Sequence, residues 1–154
     1  MGSNLGEFLG EIRDFIEIDI PEAAVASHEE VTLDAHRRVV ERTPRDKGTT
    51  QQSWYVSVGQ PSRATQDMGS VQATLDQGRS ALVALQPYQV SFVTNNQPNI
   101  LVLEDGGFVP ADPGPSKDPR PDRKGRVLVR KGFSVQAPQG MVKVTIPELV
   151  AEFG

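Results

Sequence analysis

The sequence predicts an α+β fold: a long N-terminal helical segment packed on an antiparallel sheet, an extended Gly/Pro-rich basic arm, and a short C-terminal helix. Three observations carry that expectation. Apolar residues recur at helical spacing through the first third of the 154-residue chain. The period then shifts toward two, and fourteen of the eighteen valines lie after residue 55. Between Gly106 and Gly125, nine of twenty positions are Gly or Pro, which no helix or central strand tolerates. The length suits a single domain, 1–154, with a helical segment over 1–43 and the arm over 107–131.

Taking the elements in order, Leu5, Phe8, Leu9, Ile12, Phe15 and Ile16 form one face of a first helix. Glu7, Glu11, Asp14 and Glu17 form the other. Asp19-Ile20-Pro21-Glu22 carries the marks of a fresh helix start, with a capping Asp, an early Pro and a Glu three residues on. The second helix runs to about Arg42 on a stripe of Ile20, Ala24, Val25, Val31, Ala35 and Val39, and Thr43-Pro44 ends it. Ser53–Val58 alternates as a strand, and Pro61–Thr65 is a loop. Met68–Leu85 suggests a helix broken near Gly78, and Tyr88, Val90 and Phe92 mark another strand. Ile100–Leu103 is too short to assign by period. Arg126–Arg130 and Phe133–Gln136 are expected to be short strands flanking a turn at Lys131-Gly132. A capping box at Thr145-Ile146-Pro147-Glu148 opens a last helix, Ile146–Phe153.

Composition removes whole classes of chemistry. The chain has no cysteine and two histidines, so thiol catalysis, disulfide scaffolds, Cys-based zinc sites and iron–sulfur clusters are excluded. No Gly-x-Ser-x-Gly elbow, Walker loop, dinucleotide glycine pattern, zincin helix or calcium loop is present. His28 falls in an apolar stripe, as a core-edge histidine does, and the adjacent Glu104 and Asp105 are better explained as the start of a loop than as an acid/base pair. The expectation is a protein with no catalytic residue, metal or cofactor, and not an enzyme. No secretory signal or membrane-spanning run is visible, which points to a protein made in a cytoplasm.

The net charge of −4 conceals segregation. Residues 1–34 hold nine acids against Arg13, a net of −8, and the remainder is +4. The positive charge gathers at Lys117, Arg120, Arg123, Lys124, Arg126, Arg130 and Lys131. Such a run can track nucleic-acid phosphates, although only Phe133 lies nearby to stack on a base. It can equally grip an acidic protein face, and this chain's own N-terminus offers one.

Three clusters together resemble the tail-completion, or neck, proteins of long-tailed bacteriophages. The first is Arg42-Thr43-Pro44-Arg45-Asp46-Lys47-Gly48 with Gln52-Ser53-Trp54. Here Pro44 stops a helix, Asp46 caps a turn, Gly48 takes a positive φ, and Trp54 enters a strand. The second is Val93-Thr94-Asn95-Asn96-Gln97-Pro98 with Leu103-Glu104-Asp105-Gly106, and the third is Gln136-Ala137-Pro138-Gln139-Gly140-Met141-Val142. They follow the family's order from about residue 35 to 148. Asn99 replaces a frequent Tyr, and the arm is longer than the family's usual connection.

The resemblance implies a virion protein. Its fold would be a long helix on an antiparallel sheet, and it would form a homo-oligomeric ring, commonly a hexamer, at the head–tail junction. Its partners would be copies of itself, head connector or adaptor proteins, and tail terminator or tail tube proteins. Genomic DNA would be cargo in the lumen, and no membrane would be involved. In that setting the basic arm would reach an adjacent subunit or a neighbouring ring, with Phe108 or Phe133 as apolar anchors. The alternative is a small nucleic-acid-binding protein that uses the basic arm on phosphates.

Overall fold

The computed structural model describes residues 4–45, 48–107, 133–134 and 136–154, together with the backbone of 120–121 and 127–130. It is an α+β fold. A helix of 39 residues, about 58 Å long, starts as α1 (Asn4–Asp14) and continues through a π-helical turn, Phe15–Asp19, into α2 (Ile20–Arg42). After a 3₁₀ turn, Gln51–Ser53, come β1 (Trp54–Val58), α3 (Val71–Leu82), β2 (Ser91–Asn95) and α4 (Ile100–Asp105). The chain ends with β3 (Arg120–Pro121), β4 (Val127–Arg130), β5 (Phe133–Ser134) and α5 (Val142–Phe153).

The expected helix restart at Asp19 does not occur. Asp19 has helical dihedrals, φ −66° and ψ −43°, and its side chain caps nothing. The reason lies in Pro21, which has no N–H to donate one turn back. The chain meets this by widening beforehand: Ile20 N–H reaches the Phe15 carbonyl five residues earlier, and the π turn carries the helix past the proline unbroken.

β1 and β2 pair antiparallel, from Trp54 opposite Asn95 to Val58 opposite Ser91. β2 starts three residues later than the sequence suggests. Tyr88 turns in the left-handed region at φ 65°, and Gly59 N–H meets the Val90 carbonyl at 2.8 Å just outside the ladder. The other edge of β1 is closed by a side chain. The Gln77 carboxamide accepts from Val56 N–H at 3.0 Å and donates to Val56 C=O at 2.8 Å, replacing a missing strand. A second small sheet has the order β3-β4-β5. Its two-residue β3 includes Pro121 at the edge, where proline is permitted.

The long helix packs on the β1–β2 sheet through α2 alone, since no residue of α1 is buried. The buried line on α2 also differs from the expected aliphatic stripe. It is Thr32, His36, Val39 and Val40, with Thr43 just beyond, so half of it is polar. Each polar member has a job. Thr32 and His28 both hydrogen-bond the Ser91 hydroxyl at 2.8 Å, tying α2 to the start of β2. His36 Nε2 donates to the Trp54 carbonyl at 3.3 Å.

α3 runs through Gly78 without a break, because Gly78 is a contact point and not a stop. A Cβ there would sit 2.4 Å from His36 Nδ1 and 3.2 Å from Val56 Cγ2. The bare backbone lets α3 close over the imidazole and brings Gln77 within reach of β1. Two apolar clusters result: Val39, Val40, Trp54, Leu103, Ala137 and Met141 in one, and Val56, Leu82 and Leu85 in the other.

Two outcomes follow. Gly78→Ala forces its methyl against a buried ring and should cost about 1–3 kcal/mol, read as a lower urea midpoint. Burial also lowers the His36 pKa below 6.5, only partly opposed by the Trp54 carbonyl. Its contribution is therefore full above the ordinary imidazole range and lost as pH falls through the folded value. Urea titrations should show that loss in mildly acid solution, and His36→Gln should remove that step. Asp34 and Glu148, held below their ordinary values of 3.8 and 4.5, keep their contribution through this range and lose it only at lower pH.

Candidate functional site

The three sequence clusters converge in space. Thr43 is extended at φ −68° and ψ 125°, as a residue before proline must be, and lies buried at the end of α2. Its hydroxyl donates to the Val39 carbonyl at 2.6 Å and accepts the Trp54 indole N–H at 2.7 Å. The first cluster thereby pins the helix exit to the strand it leads into. Pro44 is half-buried behind it. Gly48 has φ +93° and a buried position against the Gln52 side chain, as the turn requires. Asp46 and Lys47 lie outside the described residues.

The second cluster binds the first from the far end of β2. Asn95 Nδ2 donates to the Thr50 carbonyl at 2.8 Å, while its Oδ1 accepts Gln97 N–H at 3.0 Å. Asn96 Nδ2 holds the Ser62 and Ala64 carbonyls, each at 2.9 Å. Gln97 Nε2 donates to the Ser53 hydroxyl at 2.9 Å and to the Thr65 carbonyl at 2.5 Å. The Asn-Asn-Gln run therefore anchors the 61–65 loop as well as its own turn. Asn99 reaches the Thr50 hydroxyl at 3.1 Å, and Pro98 is exposed.

The junction of the second and third clusters is the tightest. The expected capping box does not open α5, which begins at Val142 and not at Ile146. Its N-terminus is capped from a distance: the Glu104 carboxylate accepts from Met141 N–H at 2.7 Å, Val142 N–H at 2.9 Å and Lys143 N–H at 2.7 Å. Three otherwise unpaired donors and the positive end of the helix dipole meet one negative charge. Glu104 is thus not part of a loop, since it lies in the last turn of the short helix α4. Asp105 pairs with Lys143 at 2.5 Å.

Gly140, at φ +83°, makes this approach possible, because a Cβ there would lie 2.6 Å from the Glu104 carbonyl oxygen. Gly106, at φ +77°, passes under the Phe133 ring, 2.8 Å from where its Cβ would be. Phe133 is accordingly half-buried, its ring lying against Gly106 of its own chain. Ala137 and Met141 are buried in the core, Pro138 is exposed, and Gln136 Oε1 accepts Arg45 N–H at 2.8 Å, tying the third cluster back to the first.

Thr145 and Glu148, freed from capping, face α2. Arg42 donates to the Thr145 hydroxyl at 2.7 Å and to Glu148 at 2.6 Å, and Arg38 reaches Glu148 at 2.9 Å and also Glu152 and Asp34. The Arg42 and Arg38 guanidiniums hold Glu148 below its ordinary range. Burial raises the Asp34 pKa, and hydrogen bonds from Arg38 and Arg37 outweigh it and lower the net value. Sequence reasoning missed these pairs, although Arg38 and Arg42 match Glu148 and Glu152 in their four-residue spacing. It also missed the contacts made by Thr43, His36, Gln77 and Gly78.

Beside this network lies a cleft of about 310 Å³ lined by Glu30, Leu33, Asp34, His36, Arg37, Leu75, Arg79, Glu152 and Phe153. Asp34 and Glu152 there are already committed to arginines. Among the described residues, no group of three or more His, Asp or Glu could hold a metal, and no helix is long and apolar enough to cross a membrane. Of the basic arm, Arg120 and Arg130 are placed by their backbones in β3 and β4. Lys117, Arg123, Lys124, Arg126, Lys131 and Phe108 lie outside the described residues.

No protein-family model, curated protein or solved structure matches the chain.

Replacing Glu104 by Ala should lower stability by about 2 kcal/mol, with Glu104→Gln intermediate because one acceptor oxygen survives. Urea unfolding measures both. An unchanged midpoint for Glu104→Ala would remove the cap from its role.

Proposed function

We propose that the chain is a neck, or tail-completion, protein of a long-tailed bacteriophage: a structural subunit, not an enzyme. In this reading it forms a ring between the head connector and the tail, with DNA passing through the lumen. One observation carries the proposal. The three separate clusters that resemble the neck family meet in one packed node, each through a specific hydrogen bond to another. A chance resemblance of short turns has no reason to assemble in this way.

Charge segregation supports the same reading. A head-to-tail ring needs two different complementary surfaces on each subunit. The N-terminal acids and the basic residues of the 107–131 arm supply such a pair. Acidic helix faces turned to the lumen would repel phosphates and let DNA slide. Long-range attraction would steer assembly, and apolar contacts would hold it.

Removing residues 109–125 should leave a folded subunit that fails to join heads to tails, scored by electron microscopy of particles and by infectivity. Normal infectious particles would overturn the arm's role. Purified protein should bind DNA negligibly at moderate salt. Tight binding with a steep salt dependence would instead favour a nucleic-acid-binding protein.

A further inference from the structure

No residue in the first four turns of the long helix is buried, and among the described residues none packs a core against them. Leu5, Phe8, Leu9, Ile12, Phe15 and Ile16 form a continuous apolar stripe, with Leu5 63% and Phe8 55% exposed. An isolated helix of this length is marginal in water and takes its stability from packing of its apolar face. The bare stripe amounts to roughly 600 Å², close to one side of a standard protein interface at about 800 Å² per partner.

A second bare surface lies on α5. Ile146, Val150 and Phe153 follow one another at helical spacing along its outer flank, and Val150 is 65% exposed. Its other flank is spent on α2 through Thr145 and Glu148.

We infer that α1 of one copy lies along the exposed flank of α5 in a second copy of this chain. The two surfaces cannot satisfy each other within one molecule. α5 runs antiparallel to α2, with Glu152 beside Arg38 and Glu148 beside Arg42. Phe153 therefore ends near Glu30, about 20 Å along the axis from Ile16. The helix between them is continuous, with helical dihedrals at Asp14 and Ile20, so α1 cannot fold back.

Charge permits the same occupant. Glu7, Glu11, Asp14 and Glu17 border the α1 stripe, opposed only by Arg13, so a partner face lined with acids is disfavoured. α5 presents no free acid on this flank, because Glu148 and Glu152 turn to Arg38 and Arg42, and its one base, Lys143, is paired with Asp105. An anionic bilayer is the wrong partner, because membrane-surface helices carry Lys and Arg on the polar face. Donor and acceptor differ, so the contact propagates head to tail and closes into a ring or continues as a filament. The inference rests on the ring reading only for that closure.

The native chain has no cysteine, so introduced thiols are unique. The full-length Leu9→Cys/Val150→Cys variant, oxidised at high concentration, should give a thiol-reversible ladder of multimers. Mixing the two single variants should give one cross-linked heterodimer. Adding Phe8→Glu and Ile12→Glu should abolish the ladder while leaving the thermal unfolding curve in place, since α1 buries nothing in its own subunit. Absence of a ladder overturns the inference, as does its survival of the two glutamates. Efficient dimerisation of Leu9→Cys alone would show symmetric α1–α1 pairing and overturn it too, as would co-sedimentation of the wild-type chain with phosphatidylserine vesicles. A ladder from a protein that is missing from the head–tail junction in particle images would keep this contact and remove the neck reading.

Discussion

The carboxylate of Glu104 is the interaction on which the architecture turns. It gathers three backbone N–H groups at the start of α5 and so decides where that helix begins. Once the helix starts at Val142, Thr145 and Glu148 are aimed at α2, and Arg38 and Arg42 can reach them. Met141 is at the same moment driven into the core beside Val39, Val40, Trp54 and Leu103. Without that cap the local capping box would be free to open the helix four residues later. The ion pairs alone would not prevent this, because partly exposed salt bridges contribute little.

Local period was a good guide wherever a residue's fate depended on its neighbours in sequence. The helical third, the strand at Trp54–Val58, the loop after it and the pair of short strands near the end were all legible. Reading failed where a distant partner overrode a local signal. Thr145 and Glu148 have the spacing of a cap but are claimed by arginines more than a hundred residues away. Gly78 has the look of a helix breaker, yet its missing Cβ is needed by His36, which is invisible without the fold. Asp19-Ile20-Pro21-Glu22 failed for another reason: a π turn is a way past proline that no residue pattern announces.

The candidate site was legible as a set of residues and illegible as a contact. The three clusters were each recognisable as turns, and their glycines do take positive φ at Gly48, Gly106 and Gly140. What the sequence concealed is that these turns are spent on one another. Glycine at 140 serves a carbonyl at residue 104, and glycine at 106 serves a ring at residue 133. Short polar side chains between them, Asn95, Asn96 and Gln97, act mainly as backbone clamps. The small apolar core is supported by these fixed polar links, which hold β1, β2, α4 and α5 in a single arrangement.

The Gln77 clamp has a consequence for how copies of the chain can meet. A two-stranded sheet with a free edge invites strand addition, the commonest route from a folded subunit to disordered aggregates. Because the carboxamide already occupies Val56 N–H and C=O, that edge offers an incoming strand no hydrogen bonds at its centre. Where identical chains are crowded together, this edge is closed to strand addition at its centre. One amide side chain thereby acts as a gatekeeper for the β1 edge.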